Sequence, residues 1–196
     1  MTEGLQLDVA RTAVLSMDLQ AALVGIYAKD DPELTVRAAR ILQRARAVKM
    51  PVIHVQVGFR PGMPEVSARN PLFGRVKQSP EWQQMFQGPG GAIAAELGPE
   101  AGDLVVTKHR ISAFPGTDLA MILQAQEVET LVLFGIATSG VVLATLLDAT
   151  DADYRLVVVR DCCTDNDAEV HRVLTEKYFP RFGSVVTAEE LLAALG

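Results

Sequence analysis

The feature that most constrains the fold is an alternation along the chain: short β-branched apolar runs recur between longer stretches whose apolar residues fall at helical spacing. The runs Ala13–Met17, Val52–Gln56, Leu104–Thr107, Thr130–Phe134, Arg155–Val159 and Ser184–Thr187 predict six strands. Several are apolar at consecutive positions, as strands covered on both faces must be. Between them, Pro32–Val48, Leu119–Gln126, Ser139–Asp151, Asp167–Tyr178 and Ala188–Leu195 predict helices, with Asp, Ser or Thr near several starts as caps. Parallel strands joined by crossover helices give this alternation. The expected fold is α/β, a three-layer α/β/α, doubly wound arrangement around a mostly parallel six-stranded sheet.

A chain of 196 residues that is 49% apolar can bury one substantial core, so a single domain over 1–196 is expected. The net charge of −6 carries no basic block or acidic tail, which argues against a nucleic-acid or membrane partner and for a small-molecule substrate. The opening MTEGLQLDVART lacks a basic region followed by an apolar stretch, and no run approaches the roughly 20 apolar residues of a membrane span; a cytoplasmic location is expected. The adjacent Cys162 and Cys163 are poorly placed for a relaxed disulfide and read as free thiols. Such thiols are inert filling unless a positive neighbourhood lowers their pKa.

One stretch breaks the rhythm. Val57–Pro99 is too long for an ordinary connection. It reads either as a disordered excursion or as an ordered cover over a site, and Phe59, Phe73, Trp82 and Phe86 supply the apolar surface that a cover needs.

Ligands of such sheets bind beyond the carboxyl ends of the strands, where strand order reverses. Asp18 follows the first strand, as a cap, a solvated turn residue or a catalytic carboxylate. Lys108 follows the third strand, expected close to the first. It could pair with Asp18 to position a proton and neutralise developing charge, or form an ordinary rim salt bridge. The segment GIATSGVV runs from the fourth strand into a helix. Its small residues suit an oxyanion pocket of backbone N–H groups, and equally a turn that is glycine-rich for steric reasons. Ser139 reads as the N-cap of the following helix.

Taken in order, LSMDLQ, VTKHRISAF, FGIATSGVVLATLLDATDADY, VVVRDCCTDND and GSVVTAEELL span nearly the whole chain, and together they resemble the isochorismatase-like, or cysteine hydrolase, family of Rossmann-like enzymes. The resemblance implies a hydrolase with Asp18 and Lys108 as catalytic residues and Gln20 completing the Asp-x-Gln opening. It puts Val141 where the family carries its nucleophilic cysteine, which closes the covalent route. It implies a cis peptide between Ile136 and Ala137, and an oxyanion or substrate-binding region formed by Ala137, Thr138, Gly140 and Val141. Isochorismatase members have glycine at the nucleophile position and use the Asp as general acid; Arg110 and Ser112 follow Lys108 at their spacing.

Phe59 and Arg60, at the start of the long connection, are further candidates for substrate contact, and Arg60 reads either as a partner of an anionic substrate or as a solvated arginine. Nicotinamidase-like relatives hold a metal through an Asp-x-His pair and a further His. That spacing is absent around His54 and His109, so neither a metal nor another cofactor is expected. His54 reads as a polar residue of the second strand and His109 as a neighbour of the site. A homo-oligomer, dimer or larger, is implied by the family. Two functions fit: a cysteine-independent acid/base hydrolase of a small organic substrate, or a catalytically silent binding or scaffold protein of the same fold.

Overall fold

The computed structural model describes residues 5–86 and 88–196; the first four residues of the opening stretch, read above for a leader, lie outside them. Six strands, β1 (Thr12–Met17), β2 (Val52–Val57), β3 (Leu104–Lys108), β4 (Thr130–Ile136), β5 (Arg155–Thr164) and β6 (Ser184–Val186), form one sheet in the order β3-β2-β1-β4-β5-β6. Every pairing is parallel. Every residue of β1 and β4 is buried, the direct result of runs apolar at consecutive positions.

The helices are α1 (Ala21–Tyr27), α2 (Glu33–Ala47), α3 (Phe73–Gln78), α4 (Pro80–Met85), α5 (Gly88–Gly91), α6 (Leu119–Ala125), α7 (Leu143–Asp151), α8 (Ala168–Val173) and α9 (Ala188–Ala194). They cover both faces of the sheet. In α2 the residues Leu34, Ala38, Ile41, Leu42 and Ala45 recur at helical spacing and are buried, and this stripe packs on β1, β2 and β5. Thr187 and Glu190 form a reciprocal capping box at the start of α9. Among the described residues no helix is long and apolar enough to cross a membrane.

Three of the differences from the expectation lie next to the site. α1 lies where no helix is expected, because Gln20 makes no side-chain cap and Gly25 interrupts the apolar spacing. β5 continues past Val159 to Thr164 through Arg160 and Asp161, whose charges read as a strand end. Instead Asp161 accepts the N–H of Ala188 at 2.8 Å and its carbonyl accepts from Arg37 at 2.8 Å. The segment expected as a helix from Ser139 opens with a π turn, Thr138–Val142, before α7.

The long connection folds as an ordered cover. Its Met63, Val66, Phe73 and Val76 are buried with Val57 of β2 in a small second apolar cluster, backed by Phe59 and Phe86. Its far end returns beside α1, where Ala94 N–H donates to Leu19 O and Ala21 N–H to Ala92 O, each at 2.9 Å.

β1 and β4 approach closely at Gly135, which has a φ of +147°. A Cβ there would overlap the carbonyl of Met17. Gly135→Ala is therefore expected to lower the unfolding free energy by about 3 kcal/mol or more in urea titration. Gly25→Ala, exposed in α1 with no atom near the added carbon, should be neutral or stabilise by up to about 1 kcal/mol.

His54 of β2 is buried, its Nε2 3.3 Å from Asp103, which also pairs with Arg46 at 2.6 Å. Burial holds its pKa below the ordinary 6.5 despite the carboxylate, and burial lowers that of His171 too. A depressed histidine contributes stability that is complete above 6.5 and lost as pH falls, because the unfolded chain then binds the extra proton. Chemical denaturation across this window should show the wild type losing stability below pH 6.5 and His54→Gln losing less.

Candidate active site

The strand order reverses between β1 and β4, and the polar groups singled out from sequence gather at their carboxyl ends. Asp18 is the first residue past β1. Its N–H donates to Val55 O at 2.8 Å, and a φ of +54° turns the chain out of the sheet, a conformation Asp tolerates better than most residues. Lys108 ends β3. The expected closeness of the first and third strands is corrected, since β2 lies between them. The lysine stem spans the end of β2 and brings Nζ to 2.8 Å from Asp18 Oδ2.

Lys108 is 2% exposed and Asp18 5%, so the pair is no rim salt bridge. The ammonium also donates to Arg110 O at 3.1 Å. Asp18 Oδ1 is buried and has no partner among the described residues. Burial raises the pKa of Asp18, and the adjacent ammonium opposes the rise.

Asp18 and Lys108 line a cavity of about 250 Å³ together with Ala137, Gly140 and Val141 from the end of β4. The cover closes it with Leu72, Phe73, Val76, Trp82, Met85 and Phe86. Val141 is buried and packed in the main core as well as lining the cavity. The peptide between Ile136 and Ala137 is cis.

The turn after β4 uses several of the donors expected to form an oxyanion pocket. Gly140 N–H and Val142 N–H both donate to Ala137 O, at 3.0 and 3.3 Å, and Ser139 N–H donates to Asp165 at 2.7 Å. Ser139 is therefore inside the turn and not its cap, and the cap position, Ala137, makes no side-chain bond. Thr138 is fully buried, with its hydroxyl 2.8 Å from His171 Nδ1, and does not line the cavity.

Four more candidates lie off the cavity wall. Gln20 is a clasp: it accepts from Val57 N–H at 2.9 Å and donates to Val57 O at 3.0 Å and Gly91 O at 2.6 Å, tying the ends of β1 and β2 to the cover. Phe59 supports the wall from behind, edge-on to Phe73 and Phe86 at 5.2 and 5.8 Å between ring centres. Arg60 is exposed beside Glu65 at 3.7 Å. Arg110 is exposed and donates to His109 O at 2.7 Å and Glu65 O at 3.1 Å. His109 lies next to the site, its Nδ1 2.6 Å from Gly58 O.

Cys162 and Cys163 are buried in β5, where burial pushes the first thiol far up and the second up to about 12. Arg37 lies beside Cys162 and opposes the rise, but burial outweighs it, so neither thiol is held as a reactive thiolate. Among the described residues no three His, Cys, Asp or Glu side chains gather as a metal site would.

Tyr27, Asn166 and Ile111 line the cavity without having been singled out from sequence. Tyr27 lies in the unexpected α1. Asn166 follows β5, whose end was drawn five residues early, and Ile111 was passed over inside the lysine motif. The link between Thr138 and His171, 33 residues apart, has no sequence signal.

The isochorismatase domain matches residues 12–190. The chain is 31% identical to maleamate amidohydrolase of Pseudomonas putida over 87% of this chain and 78% of that protein. It is 31% identical to ureidoacrylate amidohydrolase of Methylobacterium radiotolerans over 99% of this chain and 83% of the relative. The structure of an isochorismatase family protein from Burkholderia thailandensis superposes with a TM-score of 0.83 at 30% identity, covering 97% of both chains.

Removing one member of the buried ion pair strands the other. Asp18→Asn and Lys108→Met are each expected to destabilise by about 3 kcal/mol. The double variant should fall short of the summed losses by at least about 1 kcal/mol in urea denaturation; additive losses would mean the two groups do not interact.

Proposed function

The chain belongs to the isochorismatase family, and from that premise we propose that it is a hydrolase of a small organic substrate, working by acid/base catalysis without a cysteine nucleophile. The observation that carries this reading is the free Oδ1 of Asp18, buried and lining the same cavity as Lys108. The amidohydrolase names of two relatives support hydrolysis as the reaction class. The order of the sequence motifs supports Val141 as the counterpart of the family's nucleophile. Its side chain offers neither a nucleophilic atom nor a proton, so water must attack in place of a thiolate.

Burial raises the proton affinity of Asp18 while Lys108 keeps the carboxylate accessible, a balance suited to a group that must take and return a proton. Asp18 removes the proton from the attacking water or delivers one to the leaving group. Lys108 holds the carboxylate in place and neutralises charge developing on the substrate oxygen. Ala137, Gly140 and Val141 form the wall against which the reacting group lies. Ser139, Gly140 and Val142 already donate within the protein, so the oxyanion role falls to Ala137 and Val141 of the turn together with the ammonium.

Wild type and Asp18→Asn, incubated with small amides, nicotinamide and isochorismate and followed by mass spectrometry, test this reading. Turnover is expected to fall at least about 100-fold in Asp18→Asn and to survive a thiol-alkylating reagent, since both cysteines are buried. Unchanged turnover in Asp18→Asn would remove Asp18 from the mechanism. Saturable binding with no product from any substrate would favour a silent binding protein.

A further inference from the structure

The cavity is nearly neutral and largely apolar, with Tyr27, Trp82 and Asn166 the lining side chains that carry polar atoms beside Asp18 and Lys108. Among its described lining residues, Asp18 and Lys108 are the charged pair, and their charges cancel at 2.8 Å. The remaining ammonium donor capacity is partly taken by Arg110 O. The nearby guanidinium groups are engaged elsewhere, Arg60 with Glu65 and Arg110 with His109 O and Glu65 O, and neither residue lines the cavity. An anionic substrate tail would thus lose its hydration and meet no unmatched cation, a costly transfer.

The entrance is apolar as well. Ile26, Leu72, Trp82 and Ile111 line the cavity yet are 46, 46, 51 and 41% exposed, so an apolar collar surrounds the acidic and basic pair. The volume of about 250 Å³ corresponds to roughly eight displaced waters at about 30 Å³ each, space for a short hydrocarbon chain and one polar head.

We propose that this site selects a neutral, largely apolar molecule with a single polar head, an acyl amide being the simplest case, and rejects its carboxylate-bearing counterpart. The head meets Asp18 and Lys108 while the hydrocarbon displaces water from Phe73, Val76, Trp82 and Phe86. The selection of the tail is a matter of binding; only the fate of the head rests on the hydrolase reading. In that reading, water adds to the acyl carbon of the amide, the C–N bond breaks, and the products are the acid and ammonia.

Trp82 is the one tryptophan in the chain, so its fluorescence reports on the collar. The matched probes are hexanamide and adipamate, in which a carboxylate replaces the terminal methyl group. At neutral pH hexanamide is expected to bind at least about tenfold more tightly. Ile111→Arg, or Leu72→Arg should the first fail to fold, places a cation in the collar and should improve adipamate binding by about tenfold.

Equal or tighter binding of adipamate by the wild type would overturn the proposal. So would the absence of a Trp82 response to hexanamide, and if Trp82 were instead shielded in a concentration-dependent dimer, the collar would be an interface between copies of the chain. Mass spectrometry of the same mixtures separates the two readings. Selective binding of hexanamide without release of hexanoate counts against hydrolysis alone, whereas adipate and hexanoate released with equal efficiency count against this selectivity alone.

Discussion

The site depends on one ion pair that the sheet both buries and holds open. An ammonium and a carboxylate removed from water are not in themselves an asset to stability, because the desolvation of each is large. Lys108 and Asp18 offset much of it by meeting at 2.8 Å, but the pair leaves one carboxylate oxygen without a donor among the described residues. The position of that oxygen follows from the fold. β1 ends at the reversal of strand order, Asp18 turns out of the sheet just beyond it, and Lys108 reaches across β2 from the edge strand.

The sheet was legible because its signal is local. Six apolar runs lie within a few residues of the six strands, and consecutive burial in β1 and β4 is what their composition requires. Failures occurred where tertiary contacts override local cues. Arg160 and Asp161 look like a strand end until Arg37 and Ala188 supply partners for Asp161, and α1 has neither a side-chain cap nor an uninterrupted apolar stripe to announce it. The same limit governs the site. Asp18 and Lys108 could be named from strand ends and from the resemblance of their motifs. That Gln20 is a clasp and that Thr138 faces His171 depends on residues 37 and 33 positions away.

The polar candidates that lie off the cavity wall share a physical pattern. Gln20, Thr138, Ser139, Arg60 and Arg110 are polar residues near a strand end, and each finds its partner within the protein. Four buried side-chain atoms among the described residues lack such a bond, on Ser16, Asp18, His54 and Glu65, and of these only Asp18 lines the cavity. The cover contributes in the opposite way, through apolar side chains whose aromatic members were visible in the sequence but whose common direction was not.

The clasp formed by Gln20 joins two regions that serve different ends. Its amide fixes the ends of β1 and β2, and with the first of them Asp18, to a segment near the close of the cover. The intervening residues 72–86 furnish most of the surface that a ligand's tail would meet. They hang from an anchor that their own replacement leaves intact. Substitutions confined to residues 72–86 can therefore reshape the surface that meets a ligand's tail while Asp18 and the clasp at the strand ends stay in place.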